Sequence, residues 1–447
     1  MFKANATINA LLSFGLLRPR ATIDESLAAL RELGPTPAAQ VIARHKVRRL
    51  TRRRIAAALP GADPETTGLL ETFDAEVVRL GAPRERRGTD LDRQIAEFRA
   101  RAGDLPVRFM KGLGVRDWYS EAAQRDIGDA DLWLPDMDTG LRFTAVLRDL
   151  GFFYEPGEMP WLKRDMSGVL FGQFRMQHAD PERVDVDVHI GPYSVRYCGL
   201  IDFAASQGGA GWTPLTDEDN LCAVIGNAAG DCLIDGKVVN DLVLATGRGL
   251  DLEYVRRQLE QAGLTGFANN LIDRTKEICA LDDDQVAVLS ALRTDGPAEE
   301  MVFAAADDDD LRTELVVAHA RSVAQRLTGS ESTAEGIAEQ ARAAYGNPRS
   351  FRIRTAGGAP HRLPTMNPWT CVRLAPQPLV RRMSGRTERV PVRGRQTALS
   401  ESLTLVEAEV GDLLLFRDDV FLPTLDYLFC SQLVTAEPQL EKDEAVA

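Results

Sequence analysis

Apolar and polar residues alternate without interruption from Val184 to Ile190, which predicts a β-strand with one buried face. A second apolar segment at residues 169–176 precedes it, and the turn-forming residues 179–182 separate the two segments. The pattern therefore predicts a β-hairpin. The polar face of its second strand is either a solvent-exposed sheet surface or part of a site. The residues on that face are Asp185, Asp187 and His189.

Helical spacing dominates much of the remaining chain. Apolar positions repeat at helical intervals over residues 23–33, 38–59 and 139–150, and glycine or proline follows each of these segments. Helices are also expected over most of residues 213–345. The character changes after that point, because prolines become frequent and short β-like segments appear at residues 351–354, 403–406 and 413–416.

These patterns predict an α+β fold in four regions. Residues 1–104 form a helical region, residues 105–200 a core that contains the hairpin, residues 201–295 a second helical region, and residues 296–447 a C-terminal α/β region of unknown role. A chain of 447 residues is too long for one compact core, which also favours several domains.

Two acidic residues stand directly before a short apolar segment. On an extended strand the carboxylates of Asp129 and Asp131 share one face, and each raises the pKa of the other. A divalent cation between them removes that conflict, and hard oxygen ligands suit Mg²⁺. The alternative is a solvated turn or strand edge, since Asp-X-Asp is common in proteins. Asp187 would supply a third carboxylate if its strand lies beside this one.

Residues that suit phosphate binding precede the acidic pair. Residues 107–110 predict a short strand that ends at Lys111-Gly112, where glycine allows a close approach to backbone N–H groups and lysine supplies positive charge. Arg125 could hold a phosphate with two parallel hydrogen bonds. The alternative role of Arg125 is a salt bridge to Asp126 or Asp129.

Three carboxylates beside such a loop are the groups that phosphoryl transfer needs. Two metal ions roughly 3.5–4 Å apart can clamp the attacking and leaving oxygens of an in-line displacement. Positioning and charge neutralisation then supply most of the catalysis. The residues alone therefore indicate metal-dependent phosphoryl-transfer chemistry.

The same residues resemble a known family. The chain is similar to the polymerase-β-like nucleotidyltransferases, and within them to the bacterial family labelled "uncharacterised nucleotidyltransferase", over residues 25–275. Leucine follows Gly112 here, whereas the wider superfamily usually has a Gly-Ser or Gly-Gly pair. The motifs that carry the resemblance are Lys111-Gly112, Trp118-Tyr119, Arg-x-x-Gly-Asp-x-Asp at residues 125–131 with the apolar residues after it, and Asp187-Val188-His189.

The resemblance implies a nucleotidyltransferase catalytic core at residues 105–200, built as a small mixed sheet with helices. It implies that Asp129, Asp131 and Asp187 bind the metal ions, Mg²⁺ or Mn²⁺, and carry the catalysis. His189 matches a histidine of the family, but the resemblance gives it no role.

The resemblance also implies a nucleotide-binding cleft. Lys111, Gly112 and Arg125 would contact the phosphates of an NTP. A helical segment at residues 216–244, which opens with a capping-box pattern, would complete the cleft. Lys237 within that segment is either a phosphate contact or an exposed, solvated lysine.

By the same resemblance the chain would transfer a nucleoside monophosphate to an acceptor and release pyrophosphate. A small metabolite or a peptide, as in natural-product biosynthesis, is the first candidate acceptor. A toxin-like or regulatory enzyme that acts on tRNA or protein is the second hypothesis. A non-catalytic nucleotide-binding scaffold is the third, although all three candidate acids are present.

Composition limits the partners and the location. The net charge of −13 argues against bulk binding of nucleic acid. No apolar run approaches the ~20 residues of a membrane span. The six cysteines form no Cys-x-x-Cys pair, so we expect neither a zinc site nor a disulfide framework, and we expect the reducing cytoplasm.

Two basic segments leave alternatives open. The dense run at residues 45–54 either docks an acidic acceptor, such as RNA or an acidic peptide, or is a solvated face balanced by neighbouring acids. The arginines between residues 381 and 395 either bind an anionic acceptor or offset the acidic surface.

Overall fold

The computed structural model describes most of residues 6–296 and short segments of the rest. It covers residues 6–85, 91–121, 125–154, 161–164, 170–191, 200–201, 203, 211–231 and 233–296, with isolated positions and strands between 302 and 424. Within this part the protein is α+β, as predicted. The helices are α1 (Ala6–Leu12), α2 (Ile23–Leu33), α3 (Pro35–Arg44), α4 (Arg48–Ala58), α5 (Pro64–Glu85), α6 (Leu91–Ala102), α7 (Lys111–Gly114), α8 (Met137–Asp149), α9 (Asp217–Gly230), α10 (Gly236–Ala245), α11 (Leu252–Gln261), α12 (Thr265–Ile278) and α13 (Asp283–Leu292).

The described strands form one large mixed sheet and one short pair. Their bounds are β1 (Val107–Phe109), β2 (Asp129–Leu134), β3 (Phe152–Tyr154), β4 (Trp161–Arg164), β5 (Leu170–His178), β6 (Asp185–Ile190), β7 (Trp212–Pro214), β8 (Leu233–Ile234), β9 (Val302–Phe303), β10 (Val372–Pro376), β11 (Arg395–Ala398), β12 (Thr404–Ala408), β13 (Gly411–Phe416) and β14 (Asp419–Thr424).

The large sheet has the order β11-β12-β13-β14-β10-β4-β5-β6-β2-β1-β7, with β3 paired to β5, while β8 pairs with β9. The hairpin predicted from alternation is confirmed as the antiparallel pair β5–β6. β2–β6 and β1–β7 are the parallel pairs of this sheet. The C-terminal strands join through the antiparallel pair β10–β4.

The two faces of the central strands meet different surroundings. The apolar face of β2, β5 and β6 packs against α8, and α6 packs against α8 in turn. Fully buried residues of this layer include Leu132, Phe174 and Val188. The opposite face carries the acidic residues and Trp133, which belongs to the other hydrophobic core. The period-2 pattern therefore separates an apolar layer from a polar face on the same strands.

The other hydrophobic core joins two parts of the chain that are far apart in sequence. Buried residues of α1–α5 and of α9–α13 belong to this single cluster. The N-terminal region and the helices after residue 213 therefore pack together beside the polar face of the sheet. The boundaries proposed at residues 104, 200 and 295 stay predictions.

The predicted helix over residues 38–59 is wrong in one respect, because a turn divides it into α3 and α4. Lys46 in this turn has a positive φ of 55°. The turn is held from outside the helix pair, because His45 accepts hydrogen bonds from the N–H groups of Gly236 at Nδ1 (3.0 Å) and of Lys237 at its carbonyl oxygen (3.1 Å). The Arg48 N–H donates to Asp126 Oδ2 at 2.8 Å. Remote partners thus replace the helical hydrogen bonds lost at the break.

The arginines of the basic run have partners inside the protein. Nε of Arg49 lies 3.6 Å from Asp126, and Nε of Arg52 lies 3.0 Å from Asp74. Arg53 makes two hydrogen bonds with Glu121. The interpretation as a face balanced by neighbouring acids is therefore confirmed for these arginines.

Several local predictions agree with the described segments. α2 matches the predicted bounds, α8 covers the helix predicted at residues 139–150, and β12 and β13 cover the strands predicted near 404 and 414. The strand predicted at 351–354 and the arginines at 381–393 lie outside the described residues. Among the described residues, no helix combines the length and the apolar character needed to cross a bilayer. The cytoplasmic location stays a prediction.

We expect a His45→Asn variant to lose less stability in acid than the wild type. Burial lowers the pKa of His45 to about 3, and the nearby Asp235 offsets this only in part. Between pH 6.5 and 3 the unfolded chain therefore binds a proton that the folded protein does not, so stability falls as the pH decreases through 6.5. From about pH 7.5 to about pH 5, this group removes about 2 kcal/mol from the free energy of unfolding.

Urea unfolding at these two pH values measures the effect. The Oδ1 atom of the introduced asparagine can still accept the hydrogen bond from Gly236, so the variant should fold. Its loss of stability between the two pH values should be smaller than the wild-type loss by about 2 kcal/mol. Equal losses in the two proteins would contradict a neutral, buried His45.

Candidate metal centre and its cleft

The acidic residues of two strands face each other across a parallel pair. In the register of β2 and β6, Asp131 lies beside Asp187 and Asp129 lies beside Asp185. Neighbouring residues in register point to the same face of a sheet, so these carboxylates share one surface. The expectation that the strand of Asp187 lies next to the acidic pair is therefore confirmed.

β5 supplies further polar side chains to the same face. Gln173 Nε2 donates a hydrogen bond of 3.0 Å to Asp187 Oδ2. Arg175 lies 3.3 Å from Asp185 through Nη2 and 3.9 Å from Asp129 through Nη1. This arginine therefore bridges acids of β6 and β2 and limits their mutual repulsion.

Three buried side chains lie close enough together to hold one cation. Asp131, Asp187 and His189 each offer a ligand atom, and these atoms lie within 4.8 Å of one another. His189 Nε2 lies 3.2 Å from Asp131 Oδ1. Asp187 Oδ1 is buried and accepts no hydrogen bond from the described residues. A buried carboxylate oxygen without a donor is costly unless a cation or proton satisfies it, so the group fits a divalent ion.

The cluster differs from the predicted ligand set at one member. Asp129 shares the face of Asp131, but its carboxylate is one-third exposed and lies outside the group of three. His189 takes the third place in the cluster. The metal role of Asp129 stays a prediction, and its position at the cleft end of β2 suits a second cation more than the first.

Burial and charge separate the proton affinities of the two facing carboxylates. Burial raises the pKa of Asp187 well above its ordinary value, and the charges of Asp129 and Asp131 add to this against the opposing effect of Arg175. Burial also acts to raise the pKa of Asp131, but the charge of Lys111 and the contacts with His189 outweigh it and hold that pKa below its ordinary value. Opposite shifts in neighbouring carboxyl groups are a feature of functional sites.

Lys111 contacts the cluster directly. Its Nζ atom lies 2.5 Å from Asp131 Oδ1, and both side chains are largely buried. Its backbone has a positive φ of 50°, and it begins α7 rather than the predicted loop. A Cβ atom at Gly112 would lie 3.0 Å from Nη1 of Arg125, so a larger residue would displace that arginine. The phosphate contacts of Lys111 and Gly112 stay predictions.

Arg125 is held by an acid that the sequence interpretation did not pair with it. Its Nε and Nη2 atoms donate to the two oxygens of Asp241 at 2.9 and 2.8 Å. The alternative salt bridge to Asp126 or Asp129 is therefore wrong. The pair is almost fully buried, with 3% and 1% of the side chains exposed, and Tyr119 Oη also donates to Asp241. Because Asp241 accepts hydrogen bonds from Nε and Nη2 of Arg125, the predicted phosphate contact would have to use Nη1.

Most of these groups line a cleft of about 340 Å³ between the sheet face, α9 and α10, whereas the buried His189, Asp185 and Tyr119 are not part of its lining. Lys237 on α10 is half-buried in this cleft, so the alternative of a fully solvated lysine is wrong. Burial lowers the pKa of Lys237 to about 8, with Lys46 and Arg125 as further causes. The basic side chains of the lining are Lys46, Arg48, Lys111, Arg125, Arg175 and Lys237.

Sequence reasoning gave no site role to several residues that the structure brings there: His189, Lys46, Gln173, Arg175 and Asp241. His189 follows Asp187 on the same face of the alternating strand, so the alternation itself could have included it among the ligand candidates. Lys46 lies inside a segment with helical spacing, and no pattern around it indicates a turn that faces the cleft.

Comparison of the chain with protein-family models, with curated proteins and with solved structures gives no match. The resemblance to the nucleotidyltransferase family stays a prediction.

We expect a Lys111→Met variant to bind Mn²⁺ more tightly than the wild type in the absence of nucleotide. Lys111 occupies Asp131 Oδ1, so a divalent cation must displace its ammonium group or bind beside it. Removing that charge should raise the affinity by about tenfold or more, given the strength of Coulomb interactions at a few ångströms. Electron paramagnetic resonance of free Mn²⁺ measures the affinity. Lys111→Arg, which keeps the charge, is the matched control, and an unchanged or weaker affinity in Lys111→Met would contradict the competition.

We expect an Arg125→Met variant to be less stable by about 3–5 kcal/mol, because it leaves the buried Asp241 without its main counter-charge. Adding Asp241→Asn should recover much of this loss, since the amide keeps an acceptor for Tyr119 without the buried charge. Urea unfolding of the four proteins in this cycle gives the coupling free energy. Wild-type stability in the single variant would show that Arg125 has no structural role and is free to serve a ligand.

Proposed function

We propose that the protein is a Mg²⁺- or Mn²⁺-dependent nucleotidyltransferase that moves a nucleoside monophosphate from an NTP to an acceptor. The observation that carries this proposal is the pairing of Asp131 with Asp187 on adjacent parallel strands, together with a buried Asp187 Oδ1 that accepts no hydrogen bond within the described part of the chain. Carboxylates so placed suit a divalent cation, and the surrounding basic cleft suits a polyphosphate. Each property alone is common, and their combination in one cleft favours nucleotidyl transfer.

Different residues of the site would bind the metal ions, neutralise phosphate charge and position the phosphate-binding segment. Asp131, Asp187 and His189 would hold one metal ion, and Asp129 would supply a ligand to a second ion. The bound cation would supply positive charge at the α-phosphate and at the leaving oxygens. Lys111 would leave Asp131 when the cation binds, and its ammonium group would then neutralise phosphate charge. Arg125, fixed by Asp241, would orient the start of α7 at Lys111-Gly112.

The proposed nucleotidyl transfer is a displacement at the α-phosphorus of the NTP. An acceptor oxygen attacks the α-phosphorus, a new P–O bond forms, and the bond to the pyrophosphate oxygen breaks. Asp187 would accept the proton of an attacking hydroxyl, and pyrophosphate would leave with its electron pair. Arg175 and Lys111 lie beside the acids and would limit the build-up of negative charge.

A small acceptor is favoured over RNA. The basic run that could have docked RNA has its arginines engaged with Asp126, Asp74 and Glu121. The cleft encloses about 340 Å³, which suits a small molecule or the end of a chain. A metabolite or a peptide end that carries a hydroxyl, carboxylate, phosphate or phosphonate group fits these limits.

A pyrophosphate-release assay tests the proposal. The full-length protein is incubated with each of the four NTPs, with Mg²⁺ or Mn²⁺, and with a library of small acceptors. We expect metal-dependent release with at least one NTP. Asp131→Asn and Asp187→Asn should reduce it by more than about a hundredfold, since even residues behind metal ligands contribute ~10–100-fold.

Asp180→Asn is the matched control, because Asp180 lies in the β5–β6 turn and its side chain accepts a hydrogen bond from the Glu182 N–H group. An asparagine can make the same turn contact, so this variant should keep wild-type turnover. Turnover that survives in Asp131→Asn and Asp187→Asn would reject the assignment. Nucleotide binding without metal and without pyrophosphate release would favour the scaffold hypothesis instead.

A further inference from the structure

Two lysines in the described part of the chain adopt a backbone conformation that favours glycine. Lys46 and Lys111 are the residues other than glycine with positive φ, at 55° and 50°. A side chain at such a position costs free energy that glycine avoids. Strain of this kind is frequent at ligand-binding sites, where the side chain is needed in spite of the backbone. Both lysines line the same cleft.

Lys46 comes from the N-terminal helical region, which sequence reasoning did not connect with the site. It sits in the turn between α3 and α4, and about one-third of its side chain is exposed towards the cleft. Its ammonium group forms an ion pair with Asp235, with Nζ 3.0 Å from Oδ2. An ammonium group has three N–H donors, so Lys46 can bind a ligand while it keeps this ion pair.

The fold holds Lys46 beside Lys237. His45, which precedes Lys46, accepts hydrogen bonds from the backbone N–H groups of Gly236 and Lys237 at the start of α10. A Cβ atom at Gly236 would lie 3.1 Å from Val47, so the two segments approach closely. Lys237 has no hydrogen-bond or ion-pair partner for its ammonium group among the described residues, and its pKa is lowered by burial and by the charge of Lys46. Asp235 and Asp241 act on Lys237 in the opposite direction, but within the described residues neither lies at ion-pair distance from its ammonium group, so that group can bind an anion.

We propose that Lys46 and Lys237 form an anion-binding subsite that takes a phosphate-type oxyanion next to the carboxylate cluster. Phosphate oxygens accept hydrogen bonds from both ammonium groups, and the anion relieves the repulsion between them. The proposed function supplies two sources for this group, the polyphosphate end of the NTP or an anionic acceptor. The identity of the source rests on that function, whereas binding of the anion does not.

Binding of inorganic phosphate to the full-length protein tests the subsite. Isothermal titration in the presence of EDTA removes metal-dependent binding at the carboxylates. We expect Lys46→Gly to weaken phosphate binding by about tenfold or more, since a charge-assisted hydrogen bond is lost. Glycine removes the strain of the positive φ, but this variant also leaves the buried Asp235 without its ion pair, so its melting temperature should fall. Phosphate binding is therefore compared at a temperature where circular dichroism shows both proteins to be folded. Lys46→Asn, which also tolerates this conformation, is a second variant of the same kind.

Two matched variants complete the experiment. Lys46→Arg keeps the charge and should retain phosphate binding. Lys276→Met removes a half-buried lysine outside the cleft, whose Nζ donates to Ser290 Oγ, and it should bind phosphate like the wild type. Wild-type affinity in Lys46→Gly and Lys46→Asn would overturn the proposal, as would the absence of phosphate binding to the wild-type protein.

Titration in the presence of Mg²⁺ and a non-hydrolysable NTP distinguishes the two sources. If the subsite takes the phosphates of the nucleotide, the NTP excludes inorganic phosphate and its own affinity falls in Lys46→Gly. If the subsite takes an acceptor, inorganic phosphate still binds to the nucleotide-loaded protein and depends on Lys46. Phosphate binding that depends on Lys46 in a protein that binds no NTP would uphold the subsite and reject the proposed function.

Discussion

The parallel pairing of β2 with β6 is the constraint on which the site depends. A parallel pair in register sets Asp131 and Asp187 side by side on one face, whereas a shift of one residue would turn one of them to the other face. The opposite face of the same strands is fully apolar and packs on α8. The hydrophobic layer therefore fixes the register, and the register brings two like charges together. The free energy gained by packing the apolar face offsets the repulsion between the two carboxylates.

The helical regions supply basic side chains that surround the carboxylates of the sheet. α10 contributes Asp241, which fixes Arg125 beside the start of α7. It also contributes Lys237, which faces the cleft. The N-terminal helices contribute Lys46 through a turn that is hydrogen-bonded to the start of α10. Because α1–α5 and α9–α13 share one hydrophobic core, these basic residues are held by the same packing that stabilises the fold. Positive charge from distant parts of the sequence thus converges on the carboxylates.

The sequence predicted those parts of the site that follow from local periodicity. Alternation over residues 184–190 indicated both the hairpin and the shared face of Asp187 and His189. The adjacency of β2 and β6 was an expectation from three acids and a resemblance, because hydrophobic pattern alone does not specify which strands pair. The partner of Arg125 could not be predicted, since Asp241 lies more than a hundred residues further along the chain and helical spacing does not reveal ion pairs.

The turn at Lys46 was missed for a related reason. Residues 38–59 have the spacing of one continuous helix, and neither glycine nor proline within them marks the break between α3 and α4. The hydrogen bonds that replace the helical ones come from Gly236 and Lys237, nearly two hundred residues away. Tertiary contacts override local propensity at this point. Local reasoning is least reliable where a distant segment completes the hydrogen bonding, and here that place is also part of the cleft.

The most direct test of the account is an anomalous-scattering map from crystals grown with Mn²⁺ and a non-hydrolysable NTP. We predict an Mn²⁺ peak within about 2.5 Å of carboxylate oxygens of both Asp131 and Asp187, with nucleotide phosphate oxygens completing the coordination. A map with nucleotide bound elsewhere and no Mn²⁺ between these two strands would contradict it.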